Sequence, residues 1–422
     1  MDGLRRALGL PQATALVVGI IIGASIFVQP SEVSRHVSTI PMIFAVWLAA
    51  GVLSLLGALV CADLARAYPH TGGIYAWLRE TLSEPVAFLW GWAMFWSAHT
   101  GIVAAVAMVF ARYVGVFTPL TDRRQRIVAI SAIFAISAIN IVGVRAGSAV
   151  QTILTLAKVL AIGAILIAVV AISPDAPVAS APALGGGLTG FILALSAGLF
   201  AYGGWHMVTY AAGEVRDAER TIPRALMIGT LVVTACYLGL NAAYLRVLPL
   251  DKVLASKTVA ADAARVLVGP NGAAMISGLV ILSALGGLSG SVLAGPRVYY
   301  AMARDGLAFR ALGIEHARFH TPHIAIILQA IWAGVLVATG KYRELFTRVI
   351  YTEWLFFGLM AIGLMRIRGK LLPGPTVFVA GCAMVVINQV IADPKESAVG
   401  FLIVAAGLPL YYLRKRFQHA HH

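Results

Sequence analysis

The sequence predicts an all-helical integral membrane protein, and three observations carry that prediction. Of 422 residues, 60% are hydrophobic and only 12% charged, whereas soluble domains run at about 45–50% apolar and about 25% charged. The apolar residues fall into runs of about 18–25, long enough for a helix to cross ~30 Å of hydrocarbon, rather than into the short alternating segments of a barrel. Backbone in lipid must satisfy its own N–H and C=O groups, so each run is read as a helix.

About twelve runs follow in chain order, near residues 12–37, 41–65, 85–111, 127–142, 149–172, 188–212, 225–245, 274–301, 322–339, 347–365, 375–391 and 398–413. The first is too long for a signal-peptide core and lacks a small-residue cleavage site at its end, so it is read as a retained helix. With the N-terminus inside, a modest majority of the 32 Lys and Arg lies on the inner side, which favours cytoplasmic termini. The outward segment TDRRQR, Thr121 to Arg126, opposes that bias.

The formal charge of +14 comes from cations scattered over loops. No clustered, aromatic-interleaved basic face marks a nucleic-acid partner, and lipid headgroups account for the charge better. Cys61, Cys236 and Cys382 fall in or at the ends of apolar runs, with neither metal spacing nor a disulfide framework, and are read as packing residues. No metal and no cofactor is expected, and the terminal HAHH is read as a solvated tail.

Two runs are interrupted. GIIIGASIFVQP, Gly19 to Pro30, breaks the first, and GLFAYGGWH, Gly198 to His206, breaks the sixth. Taken alone, Gly19, Gly23 and Ala24 could be a small-residue face for helix packing. Recurrence five helices later, at the start of each half, points instead to an inverted-repeat transporter with its site between the breaks. Five is odd, so the second half crosses in the opposite sense. Repeat one covers about 12–172 and repeat two about 188–365, with accessory helices at about 375–413, all in a single transport domain spanning 1–422. A helix that begins at a break offers unpaired N–H groups to a carboxylate, and one that ends there offers carbonyls to an ammonium. An α-amino acid carries both groups on one carbon.

Ionisable groups inside runs need partners or a wet cavity. Lys158, in QTILTLAKVLAIGAILIAVV, lies too deep for its stem to reach an interface easily. His99 in FWSAHTGIV is either a hydrogen-bonded packing residue or a proton carrier, and His206 follows the second break. Glu353 is either a pocket carboxylate favouring cationic or polar side chains or a group at the end of a span. The loop from Glu214 to Ala225 reads as an interfacial cytoplasmic helix ended before Pro223. GLSG, Gly287 to Gly290, matches the short signature of an intramembrane serine protease. With no deep histidine downstream of Ser289, that chemistry is disfavoured. A channel would show a continuous polar face, which the runs lack.

GIIIGASIFVQP, PHTGGIYAWLRE, FAYGGWHMVTYAAGEVRDAERTIPRAL, LSALGGLSGSVLAGPRVYYAMARDG and TEWLFFGL together resemble amino acid permeases of the amino acid, polyamine and organocation (APC) superfamily, closest to the L-type amino acid transporter branch. The resemblance covers nearly the whole chain. It implies a twelve-helix, LeuT-like five-plus-five inverted repeat with helices 1 and 6 broken, working by alternating access on an amino acid, or on a polyamine or other organocation. By position it implies a carboxylate site at the N–H groups of Ala24, Ser25 and Ile26, and an ammonium site at the carbonyls of Ile21, Phe200 and Gly203. Gly23, Ala201, His206 and Glu353 complete the substrate pocket, and Phe200 is the aromatic lid. It implies Lys158 in place of a sodium ion, touching a carbonyl near Gly19 and a hydroxyl near Ser283 and able to load and release a proton, hence sodium-independent transport. It implies an inner gate that includes Glu214. The chain departs from the family at Gly23-Ala24-Ser25, where Gly-Ser-Gly is usual, at His206, where Asn is frequent, and at Glu353, where an uncharged amide is common. Eukaryotic members bond a glycoprotein through an outward cysteine, and 112–126 has none, so no such subunit is expected. The expected location is a prokaryotic inner membrane, multi-pass.

Overall fold

The computed structural model describes residues 8–37, 39–68, 72–142, 145–172, 187–340 and 342–419. Its helices are α1 (Leu10–Ile21), α2 (Gln29–Ser34), α3 (Ile40–Ala67), α4 (Ile74–Thr81), α5 (Glu84–Ala93), α6 (His99–Val114), α7 (Asp122–Val142), α8 (Arg145–Ile172) and α9 (Gly187–Tyr202). There follow α10 (Ala218–Val247), α11 (Leu250–Ala255), α12 (Val259–Arg304), α13 (His323–Thr339), α14 (Tyr342–Arg368), α15 (Pro373–Ala392), α16 (Pro394–Ala405) and α17 (Gly407–His419). Three-ten turns occupy Ser25–Phe27, Trp205–Glu214 and Arg310–Gly313, and a π-helical turn, Met94–Ala98, joins α5 to α6. Among the described residues there is no strand, only a bridge between Leu8 and Val215.

By length and composition, nine segments among the described residues are able to cross a membrane, and Thr155–Ala171 and His323–Thr339 are shorter apolar helices. The run at 347–365 lies within α14, where the side chains of 341–350 fall outside the described residues. The surface is that of a chain solvated by lipid: Ile153, Ile167, Val170 and Met275 are 68%, 73%, 76% and 76% exposed. The interior is small-residue rich, with Ala13, Ala50, Ala104, Ala105 and Ala107 fully buried, so that backbones approach closely where apolar burial gives no drive between helices in lipid. Prolines in the first turns of α3, α5 and α15 occupy positions whose N–H would be unpaired anyway.

Three boundaries differ from the sequence reading. No separate interfacial helix spans 214–225: Trp205–Glu214 is a three-ten segment, Asp217 turns the chain at φ 46°, and α10 runs straight through Pro223. A proline this near a helix start forfeits a single i→i−4 bond, which the rest of a 30-residue helix tolerates. The eighth run belongs to α12, kinked at Val268 and Gly269 just before Pro270. The twelfth divides into α16 and α17. For the site, the decisive packing is that of α1, which lies against α8, α10 and α12 and against the segment Trp205–Glu214.

Candidate functional site

α1 ends at Ile21, and its last i→i−4 bond runs from the Ile22 N–H to the Val18 carbonyl at 2.8 Å. Ile22 leaves the helical region at φ −75°, ψ 63°, and the Gly23 N–H folds back onto the Ile21 carbonyl at 2.7 Å. Bonding resumes when Phe27 donates to Ala24 (3.2 Å) and Val28 to Ser25 (3.0 Å). The N–H groups of Ala24, Ser25 and Ile26 therefore stand ahead of the new turn, where an α-helix or three-ten helix leaves its donors unpaired. In the second interruption α9 ends at Tyr202, and the Gly203 N–H donates to the Phe200 carbonyl at 3.1 Å. Gly204 then takes φ 104°, a left-handed conformation that glycine adopts without strain.

The two interruptions touch. A Cβ on Gly204 would lie 2.6 Å from Ile20 Cγ2, and one on Gly287 of α12 would lie 3.1 Å from the Gly23 Cα. Tyr237 of α10 bridges them: its hydroxyl is 2.8 Å from the Ile21 carbonyl and 2.9 Å from the Ala201 carbonyl, and with one proton it donates fully to one of the two. Ile21, expected as a bare ammonium acceptor, thus already faces two donors, Gly23 N–H and Tyr237 Oη. Residue pattern gave no sign of Tyr237, which looks like any amphipathic aromatic in an apolar run.

Between the interruptions lies a cavity of about 30 Å³. Ile21, Gly23, Ser25, Phe200, Ala201, Gly203 and Glu353, all singled out in the sequence, line it, joined by Ile102 and Val106 of α6, Met207, and Gly287 and Ser291 of α12. Ala24, Ile26 and His206 are fully buried beside it without lining it. About 10–15 Å³ of such space is enough for one water, so the cavity has room for ordered water.

Lys158 of α8 is buried and lies behind the first interruption. Its Nζ donates to the carbonyls of Gly19 (3.3 Å), Ile22 (3.2 Å) and Ser283 (3.0 Å). An ammonium has three donors and no acceptor, so this set is complete. The contact at Ser283 is through its carbonyl, not the hydroxyl expected from the sequence. That hydroxyl instead sits 2.6 Å from the Gly23 carbonyl and 3.1 Å from that of Ile22, and so secures the unwound stretch.

A second buried polar group reaches the cavity through Glu353. His206 Nε2 is 3.9 Å from Glu353 Oε1, with side-chain exposures of 0% and 3%. Among the described residues neither ring nitrogen of His206, nor Glu353 Oε1, has a hydrogen-bond partner. Glu353 is therefore no interface residue; it is buried in the wall of the cavity. His99 differs: its Nε2 is 2.7 Å from the Ser291 carbonyl, and since a carbonyl only accepts, Nε2 carries the proton. Ser289 receives a bond from the Asn140 amide at 3.2 Å, an arrangement with no base to activate a nucleophile. The side chain of Glu214, the expected gate carboxylate, lies outside the described residues. Beyond the spans, Tyr75 of α4 donates to Asp305 at 2.7 Å, and Arg79 pairs with the same carboxylate. Burial, and then that hydrogen bond, push the Tyr75 phenol well above its ordinary range.

A family model described as amino acid permease matches residues 8–406. The serine/threonine exchanger SteT of Bacillus subtilis (strain 168) is 32% identical over 98% of this chain and 98% of its own length. The human b(0,+)-type amino acid transporter 1 is 30% identical over 97% and 88%, and the human cystine/glutamate transporter 28% identical over 97% and 85%.

Proposed function

The chain belongs to the amino acid permease family, and on that premise we propose that it is a sodium-independent amino acid transporter working by alternating access, by exchange or with a proton. The observation that carries this reading is the shared cavity: Gly23 and Ser25 from one interruption, and Phe200, Ala201 and Gly203 from the other, line one small space. The N–H groups of Ala24, Ser25 and Ile26 receive the α-carboxylate. The carbonyls of Phe200, Gly203 and Ile21 receive the α-ammonium, which displaces the Tyr237 hydroxyl from Ile21 as it binds. Phe200 closes over the substrate, and Glu214 belongs to the inner gate. In this reading α1 with α2, and α9 with Trp205–Glu214, are the broken first and sixth spans of a twelve-helix inverted repeat.

Lys158 is the fixed cation of the scheme. Its three carbonyl contacts reach α1, the unwound stretch and α12 at once, which is the work a bound metal cation would otherwise do there. The chain works without a disulfide-linked glycoprotein subunit. The relatives named above support a zwitterionic substrate, since serine, threonine, cystine and glutamate are all α-amino acids.

Thermal stabilisation of the purified protein by a panel of amino acids and their blocked analogues tests the reading, because a ligand that binds only the folded state raises its stability. Free amino acids raise Tm, whereas N-acetyl and carboxamide forms of the best ligand do not. A polyamine, having no carboxylate, would stabilise as well as an amino acid only if the N–H groups at Ala24–Ile26 are not the anchor. That result would overturn the assignment.

A further inference from the structure

Two of the chain's departures from its family, far apart in sequence, meet in space. His206 and Glu353 stand where uncharged side chains are usual, and they face each other at 3.9 Å with no exposure to speak of. Resting on the permease reading, we infer that this pair is the transporter's proton site: one proton binds between His206 and Glu353 in each cycle and moves with the amino acid.

The physical ground is the cost of a buried charge without partners, which is several kcal/mol even after relaxation. The pair is electrically neutral when it holds one proton, on either residue, and carries net negative charge when it holds none. Among the described residues no cation pairs with the empty form; the one ion-pair contact of Glu353 is with His206 itself. Lys158 is fully engaged with three carbonyls. The titratable groups that face the pair are His99 of α6 and Tyr210 of its own segment, with Cys61 of α3 and Tyr299 of α12 beyond Tyr210. Trp205 and Phe357 close the ring of neighbours around His206 with apolar faces.

The geometry also supplies a route for coupling. Glu353 lines the cavity and His206 does not, so the carboxyl is the member that a substrate meets. His206 sits two residues beyond Gly204, on the segment that any movement of the second interruption carries along, while Glu353 is held on α14. Rearrangement at the break changes the separation of the two groups, and with it the ease of keeping the shared proton. Alternating access then presents the pair to one side loaded and to the other side empty.

The test uses the full chain in sodium-free liposomes with the membrane potential clamped, and a radiolabelled mixture of the proteinogenic L-amino acids as probe. For one proton per substrate, an inward gradient of about one pH unit sustains about tenfold accumulation. The wild type should approach that value. Glu353→Gln should only equilibrate the label, with counterflow slowed but measurable, and His206→Asn should behave alike. Infrared difference spectra across a pH titration should contain a carboxyl C=O band that Glu353→Gln removes. Accumulation that ignores the gradient in the wild type, or survives in Glu353→Gln, would overturn the proton site while leaving the permease reading standing. An unchanged infrared band in Glu353→Gln would do the same. Absence of any counterflow in the wild type would instead overturn the permease reading beneath it.

Discussion

Lys158 and the His206–Glu353 pair are equally buried, at 4%, 0% and 2% exposure, yet they are built in opposite ways. The lysine has an acceptor for each N–H. The pair has none for either imidazole nitrogen or for the facing carboxyl oxygen. A saturated buried charge is part of the framework, because removing it strands its partners. An unsaturated one gains most from a ligand that arrives and leaves. In the proposed scheme the fixed cation stands behind the first interruption and the exchangeable charge in the wall of the cavity.

Four substitutions break or sharpen that contrast, in falling order of effect. Lys158→Met should be the most damaging. It removes charge-assisted bonds worth about 1.5–3 kcal/mol and leaves carbonyls unpaired, so thermal unfolding should fall by several degrees and uptake should vanish. Gly204→Ala follows, at about 1–3 kcal/mol for a left-handed non-glycine backbone, made worse by the Ile20 contact. Loss of stability with loss of binding is the expected result by calorimetry. Tyr237→Phe leaves the Ile21 and Ala201 carbonyls without their shared donor and should cost about 0.5–1.5 kcal/mol. Since the incoming ammonium no longer competes with the hydroxyl, amino acid affinity measured by thermal shift should hold or rise. Glu353→Gln should change stability least, and in the neutral or stabilising direction, because Oε1 has no hydrogen bond to lose and the amide is spared the cost of burying a charge. A destabilisation as large as that of Lys158→Met would erase the distinction between the two centres.

Much of this was legible in residue pattern. Composition and run length give membrane helices because lipid forbids unpaired backbone, and paired glycines mark where helical bonding stops. Other features needed three dimensions. Which carbonyls at the first interruption are bare depends on Tyr237, brought in from α10. Whether Ser283 meets Lys158 by hydroxyl or carbonyl depends on how α12 faces α1. Pro223 was misread as a helix end because pattern alone does not show that α10 begins only at Ala218. The partnership of His206 and Glu353 was hidden for a plainer reason: each stood out singly, and no local spacing relates residues on different spans.

Counterflow of a labelled amino acid into sodium-free liposomes, wild type beside Lys158→Met, tests the central claim most directly. The account predicts transient accumulation of label against unlabelled internal amino acid in the wild type, and none in the variant. A strict sodium requirement in the wild type, or undiminished counterflow by Lys158→Met, would contradict it.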